Sequence, residues 1–295
     1  MTEQVKQTTD KTWDWLQEIE AVLFDLDGTL YQDEQFYRKY IEYLLEGTEW
    51  AGEASHWQDE AERILSGAHP LRIGHFYSRA ERLGLRHSQG AVQDAFSWEG
   101  DPGQSRLRHM AEHSLDEVQY LGDAWSVVGA IASHIGVPEP RRRDAFYRIR
   151  EDMATDQETF ARCRDAAEAV RSLRGHVHLT LMTNSPGPTA IPFVERLGLA
   201  DAFDQVVYGG GKPHGADQYA AALSAAAGIS PQRILTIGDH SWNDLYPIKQ
   251  LGGRCVWVSP YESADETPWD ARLRSLEDLT QFLTLLKQYR TAERR

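Results

Sequence analysis

The chain has 295 residues, 41% of them hydrophobic and 26% charged, and carries a formal net charge of −14 at pH 7. That length and composition suit one large or two ordinary globular domains with a sizeable buried core. The acidic balance argues against a nucleic-acid backbone or an anionic membrane as partner, because like charges repel at long range, but it permits an anionic substrate wherever a bound cation inverts the field.

The opening stretch, MTEQVKQTTDKTWDWLQ, lacks a basic start followed by an apolar run, so no signal peptide is expected. No segment approaches the roughly 18 apolar residues of a membrane span. Cys163 and Cys255 lie far apart and match no metal spacing, so both read as packed thiols of a cytoplasmic protein.

Thr12 to Ile19 reads as a short helix with Trp13, Leu16 and Ile19 on one face. Ala21-Val22-Leu23-Phe24 is a continuous apolar run ending in Asp25-Leu26-Asp27-Gly28-Thr29, the pattern of a strand buried on both faces of a parallel sheet. From about Tyr31 to Asp156 the texture changes. Tyr37, Tyr40, Ile41 and Leu44 recur at helical spacing, as do Leu121, Trp125, Val128 and Ile131, with Gly136 as a helix stop. Without a buried-strand run, this stretch reads as a helical block, with Trp50, Trp57, Trp98 and Trp125 in its core.

Strands and helices then alternate. A helix over Thr159 to Leu173 leads to a strand at His178 to Thr183. A helix over Thr189 to Leu197, stopped by Gly198, leads to a strand at Asp204 to Tyr208. Ala216 to Ala227, ended by Gly228, precedes a strand at Arg233 to Ile237, and a helix at Asp244 to Leu251 precedes the strand Cys255 to Val258. Ser275 opens a last helix, with Asp278 three residues on in a variant capping box. The fold class is therefore α/β: a doubly wound parallel-sheet, Rossmann-like core from residues 1–31 and 157–295, with a helical cap of residues 32–156 inserted after the first strand.

Such sheets place their sites at the carboxyl ends of the strands. Reactive groups stand there four times: Asp25 and Asp27, then Thr183-Asn184-Ser185, then Gly209-Gly210-Gly211-Lys212-Pro213, then Gly238-Asp239. Asp25, Asp239 and Asp244 supply hard oxygen ligands of the type magnesium prefers. A carboxylate can also act as a nucleophile and carry a phosphoryl group. Asp27 is placed to protonate a leaving oxygen and later deprotonate water. Thr183, Asn184 and Lys212 are candidates for binding the oxygens of the transferred group, and Gly28 permits a sharp turn beside the nucleophile. The glycine run before Lys212 is not a P-loop, because Val206 and Pro213 stand where that motif needs Gly and Ser or Thr.

With these residues in place, the chain resembles the haloacid-dehalogenase-like superfamily. Asp25-Leu26-Asp27-Gly28-Thr29 matches its first motif, Thr183 its second, Lys212-Pro213 its third, and Gly238-Asp239-His240-Ser241-Trp242-Asn243-Asp244 its fourth. The resemblance implies Asp25 as nucleophile, Asp27 as general acid and base, and Mg²⁺ held by Asp25, the backbone carbonyl of Asp27 and Asp239. It makes Asp244 a further ligand or a partner behind one, and the insertion a C1-type cap. One departure is Gly215, at a place where many relatives carry a second proline.

The expected activity is hydrolysis of a small phosphorylated metabolite, with no nucleic acid or membrane as partner. Within the family, haloacid dehalogenases lack an aspartate at the place of Asp27, so its presence favours phosphoryl chemistry. A phosphomutase and a non-catalytic binding protein could be built on the same fold. Tyr31 to Tyr43, leaving the site directly, is the expected specificity segment. Elsewhere His109-Met110-Ala111-Glu112-His113 fits a short zinc-peptidase pattern but reads as a solvated helix, and Arg141-Arg142-Arg143 reads as a solvated face rather than an anion site.

Overall fold

The computed structural model describes residues 13–33, 35–103 and 118–292. Ten strands occur among them: β1 (Ala21–Phe24), β2 (Phe76–Ser78), β3 (Leu83–Ser88), β4 (Ala91–Phe96), β5 (Val118–Tyr120), β6 (His178–Thr183), β7 (Gln205–Tyr208), β8 (Ile234–Gly238), β9 (Arg254–Val258) and β10 (Ala271–Leu273). The chain divides into two compact units. One comprises Met1–Asp33, Ala154–Pro260 and Trp269–Arg295; the other comprises Glu34–Met153 and Tyr261–Pro268.

In the first unit, six strands form one sheet in the order β10-β9-β8-β1-β6-β7, and every neighbouring pair is parallel. Phe24 pairs with Leu181 on one side and Ile237 on the other. All four residues of β1 are buried, which is why its sequence is an unbroken apolar run. The chain winds from β1 towards β6 and β7, then crosses to β8, β9 and β10. The direction of winding thus reverses around β1, and the crevice of a doubly wound sheet opens at such a reversal.

The helices of this unit differ from expectation in their details. The stretch read as one helix from Thr159 is two, Gln157–Arg162 and Arg164–Ser172, divided at Cys163. The stretch opening at Asp244 starts as a wide turn, Ser241–Leu245, before an α-helix at Tyr246–Gln250. The helix Leu276–Ala292 is capped as its sequence suggests: Ser275 Oγ accepts the Asp278 N–H at 3.1 Å, and Asp278 Oδ2 accepts the Arg274 N–H at 3.0 Å, one residue earlier than in the standard box. Three-residue β10 was not expected, since Arg272 interrupts its apolar pair.

The second unit corrects the expectation of a helical block. Helices Phe36–Leu45, Ala54–Leu65, Ala124–His134 and Glu139–Met153 are joined by a four-stranded antiparallel sheet in the order β4-β3-β2-β5. A two-residue turn, Gln89-Gly90, links β3 to β4, with φ of 48° and 85°; such paired positive values match the twist of a hairpin. Half of each of these strands lies at the surface, and a register shift between Arg86 and His87 breaks the alternation, so no apolar run marks them. Tyr261–Pro268 also joins this unit, although the sequence places it in the core: Ala264 N–H donates to Ile73 O at 2.8 Å and Tyr120 Oη to Asp265 Oδ2 at 2.9 Å.

Trp57 and Trp98 are buried in this unit, and Trp125 packs on Phe36 with ring centroids 4.2 Å apart. Glu60 accepts hydrogen bonds from Trp98 Nε1 at 2.9 Å and Arg63 at 2.6 Å, and pairs with His69 Nε2 at 3.1 Å. Arg142 donates to the carbonyls of Val137 and Ala132 and to Ser133 Oγ, so it closes the C-terminal end of the helix Ala124–His134 rather than offering an anion site. His109 and His113 lie outside the described residues. Among those described, no helix is long and apolar enough to cross a membrane.

Candidate active site

Three parallel strands aim their carboxyl ends at one place. β1 delivers Asp25, β6 ends on Thr183, and β8 is followed by Asp239; the loop after β7 brings Lys212 and the turn after β8 brings Asp244. Asp25, Asp239, Asp244 and Lys212 are all buried. One carboxylate oxygen from each of the three aspartates lies within 4.8 Å of the other two.

Lys212 Nζ bridges two of these carboxylates, at 2.7 Å from Asp25 Oδ1 and 2.6 Å from Asp244 Oδ1. Asp244 Oδ2 accepts the His240 N–H at 3.0 Å, so both oxygens of Asp244 take hydrogen bonds. Thr29 Oγ1 donates to Asp25 Oδ2 at 3.2 Å. Burial pushes the Asp25 carboxyl up to about 7 against the pull of Lys212, while Asp244 and Asp27 add repulsion. For Lys212 burial acts to lower the pKa, but Asp244 and Asp25 outweigh it and hold the ammonium above its ordinary value.

The Lys212 ammonium thus balances Asp25 and Asp244 directly, as buried charge requires. The donors are hard oxygens, the set that suits a magnesium ion. Asp27 Oδ2 accepts a hydrogen bond from Ser185 Oγ at 2.8 Å.

One candidate is engaged differently from expectation. Asn184 was expected at the phosphate, but its side chain is engaged by the backbone of Lys212: Nδ2 donates to Lys212 O at 3.1 Å and Oδ1 accepts the Lys212 N–H at 2.8 Å. A side-chain amide paired at both ends with a neighbouring peptide acts as a clamp on that loop. Thr183 Oγ1 accepts the Ser185 N–H at 3.0 Å. Gly28 is required for more than its turn. Its φ is +83°, and a Cβ there would lie 1.9 Å from Asp239 Oδ2. The departure at Gly215 has a local cause, because a Cβ at that place would lie 1.7 Å from the Gly210 carbonyl oxygen.

Several contributors carried no role in the sequence reading. Thr29 and Ser185 stood inside quoted motifs, but nothing in a linear pattern pairs them with Asp25 and Asp27. Trp257 Nε1 donates to Asp239 O at 2.7 Å and fixes that backbone from β9, a contact without any sequence signal.

A parallel doubly wound sheet with a carboxylate nucleophile candidate, a buried lysine and an acidic trio at its switch point defines a class of hydrolytic enzymes. The chain belongs to the haloacid dehalogenase-like hydrolases, whose family model matches residues 19–252. It is 29% identical to phosphoglycolate phosphatase of Chromobacterium violaceum over 142 residues, which is 48% of this chain. The match spans 62% of that protein's length. Among solved structures, the chain is similar to the HAD-hydrolase YfnB of Bacillus subtilis, at 15% identity and a TM-score of 0.49 over 90% of this chain and 98% of that one. It is also similar to the L-2-haloacid dehalogenase of Xanthobacter autotrophicus, at 17% identity and a TM-score of 0.46 over 90% and 98%.

Proposed function

We propose that the protein is a Mg²⁺-dependent phosphohydrolase that cleaves small phosphomonoesters through an aspartyl-phosphate on Asp25. The observation that carries this reading is the buried trio Asp25, Asp239 and Asp244, with the Lys212 ammonium between Asp25 and Asp244. A dianionic phosphate could not join such a cluster without a cation. Asp25, Asp239 and Asp244, with the backbone carbonyl of Asp27, would hold Mg²⁺, which supplies positive charge that lets carboxylate and phosphate share the site.

The remaining chemistry belongs to the chain. Lys212 and Thr183 bind the equatorial oxygens of the transferred group, and Lys212 keeps Asp25 aimed. An oxygen of Asp25 attacks phosphorus while the leaving oxygen takes a proton from Asp27. Asp27 then removes a proton from the water that releases phosphate from Asp25. The inserted unit, residues 32–156 in the sequence reading, selects the leaving group. The relative's name supports a small phosphorylated acid such as phosphoglycolate as one candidate substrate. A cytoplasmic setting suits the free thiols of Cys163 and Cys255.

Hydrolysis of 4-nitrophenyl phosphate and a panel of metabolite phosphates, with Mg²⁺ and with excess EDTA, tests the reading. Activity should require the metal and vanish in Asp25→Asn. Full turnover in EDTA, or chloride release from 2-chloropropionate without phosphatase activity, would reject it. Within the panel, Phe36→Ala, Tyr37→Ala and Arg38→Ala test whether Tyr31 to Tyr43 sets substrate ranking. Phe36 and Tyr37 are buried and Arg38 pairs with Glu62, so these variants probe the shape of that segment as well as its charge.

A further inference from the structure

We propose that Ser185 is a positioning residue for proton transfer: its hydroxyl orients the Asp27 carboxyl for giving and taking the leaving-group proton. This rests on the phosphohydrolase reading of the site. Ser185 Oγ donates to Asp27 Oδ2 at 2.8 Å, across 158 positions of sequence. A serine after a strand end ordinarily turns its hydroxyl onto nearby backbone. Here the hydroxyl crosses from β6 to the loop after β1 instead.

Ser185 is itself well anchored. Its N–H donates to Thr183 Oγ1 at 3.0 Å and its carbonyl accepts the Gly209 N–H at 3.0 Å. The residue is therefore tied to the last residue of β6 and to the loop that leads to Lys212. Asp27 sits on a turn, where Gly28 N–H donates to Tyr31 O at 2.8 Å. A hydroxyl has a single proton to donate. Given to Oδ2, it fixes the orientation of the carboxyl from that side.

In the first step a bond forms between an Asp25 oxygen and phosphorus while the phosphorus–leaving-oxygen bond breaks. The departing oxygen takes a proton from the Asp27 carboxyl and leaves as an alcohol. In the second step the Asp27 carboxylate takes a proton from water as its oxygen bonds to phosphorus. The Asp25–phosphorus bond breaks, giving inorganic phosphate, a free Asp25 carboxylate and Asp27 protonated again. Throughout, Ser185 keeps its own proton.

The test compares two leaving groups in the full chain with Mg²⁺: 4-nitrophenyl phosphate, whose phenolate leaves with little protonation, and the best alkyl ester among phosphoglycolate, glycerol 3-phosphate and glucose 6-phosphate. Ser185→Ala should lower kcat for the alkyl ester by about tenfold more than cleavage of the aryl ester measured as the pre-steady-state burst, because misalignment forfeits part of the ~10²–10⁴ that acid catalysis supplies. KM should stay within about twofold. Ser185→Thr, which keeps the hydroxyl at a half-buried position, should restore the alkyl rate, and an unchanged melting curve for Ser185→Ala separates this loss from misfolding. In an Asp27→Asn background, Ser185→Ala should have no further effect. Equal losses for both esters, failure of Thr to rescue, or a full loss in the Asp27→Asn background would overturn this inference while leaving the phosphohydrolase reading intact. No hydrolysis of any ester by the wild type would overturn that reading and this inference with it, and aryl hydrolysis without alkyl hydrolysis would overturn this inference alone.

Discussion

Lys212 Nζ and Asp244 Oδ1 lie 2.6 Å apart, and both residues are buried. Removing one partner of a buried pair strands the other charge, which costs about 3–5 kcal/mol. Lys212→Met should therefore lower the melting temperature of the metal-free protein, and added Mg²⁺ should raise it more than in wild type, since a cation would then compensate all three carboxylates. Thermal unfolding with and without Mg²⁺ checks both shifts. An unchanged metal-free melting temperature would show that the pair does not hold the site together.

Asp25→Asn and Asp27→Asn should be separable by trapping. The first leaves no carboxylate to accept a phosphoryl group. The second retains Asp25 but loses acid and base assistance, at a cost on the order of 10² or more in rate. Intact-mass measurement after brief exposure to substrate should detect a phosphorylated chain in Asp27→Asn only. The opposite pattern would reverse the two roles.

Gly215→Ala should lower both stability and activity. A Cβ there meets the Gly210 carbonyl oxygen at 1.7 Å, so the loop carrying Lys212 must move. Overpacking of this kind costs roughly 1–3 kcal/mol, and displacement of Lys212 should reduce kcat/KM about tenfold or more. Comparison of melting temperature and steady-state kinetics with wild type decides it. A proline at 215, acceptable in many relatives, should be worse still in this chain.

The second unit carries a pH dependence of its own. Burial lowers the pKa of His75 to about 3, with the positive charges of Arg86 and Arg72 and the His87 ring adding to the effect. A histidine with a depressed folded-state pKa stabilises the fold above its unfolded value near 6.5. That contribution is lost as pH falls from 6.5 towards 3, because the unfolded chain binds the proton first. At pH 5 this group alone should cost about 2 kcal/mol. Urea titrations at pH 7.5, 6 and 5 should show a shallower decline for His75→Gln than for wild type. Equal slopes would mean that His75 is not held neutral. His69 and His134, also lowered chiefly by burial, act in the same direction and should leave a residual slope.

What could be read from the sequence follows from how each feature is encoded. β1, β6 and β8 are buried on both faces, so each appears as a local apolar run, and the polar residue that ends each run marks the site. Asp25, Thr183 and Asp239 were found in this way. The hairpin of β3 and β4 was missed because its strands are half exposed and bulged; the Gln89-Gly90 pair was its one local signal. Contacts between distant loops, such as Ser185 with Asp27 or Trp257 with the Asp239 carbonyl, depend on strand order and have no local pattern. Asn184 shows the converse, a polar residue just after β6 whose side chain serves the Lys212 backbone.

Because Tyr261–Pro268 belongs with Glu34–Met153, the polypeptide passes between the units four times rather than twice. A shortened gene that joins Asp33 directly to Ala154 would therefore not yield a clean minimal hydrolase. It would keep an eight-residue remnant whose Ala264 N–H and Asp265 carboxylate had lost their partners Ile73 and Tyr120. Domain exchange with other family members meets the same obstacle, since a donor insertion transplanted at one site would arrive without the piece encoded more than 100 residues downstream. A chimera would have to carry both segments together, which makes the Pro260 and Trp269 junctions as much a part of the insertion as Asp33 and Ala154.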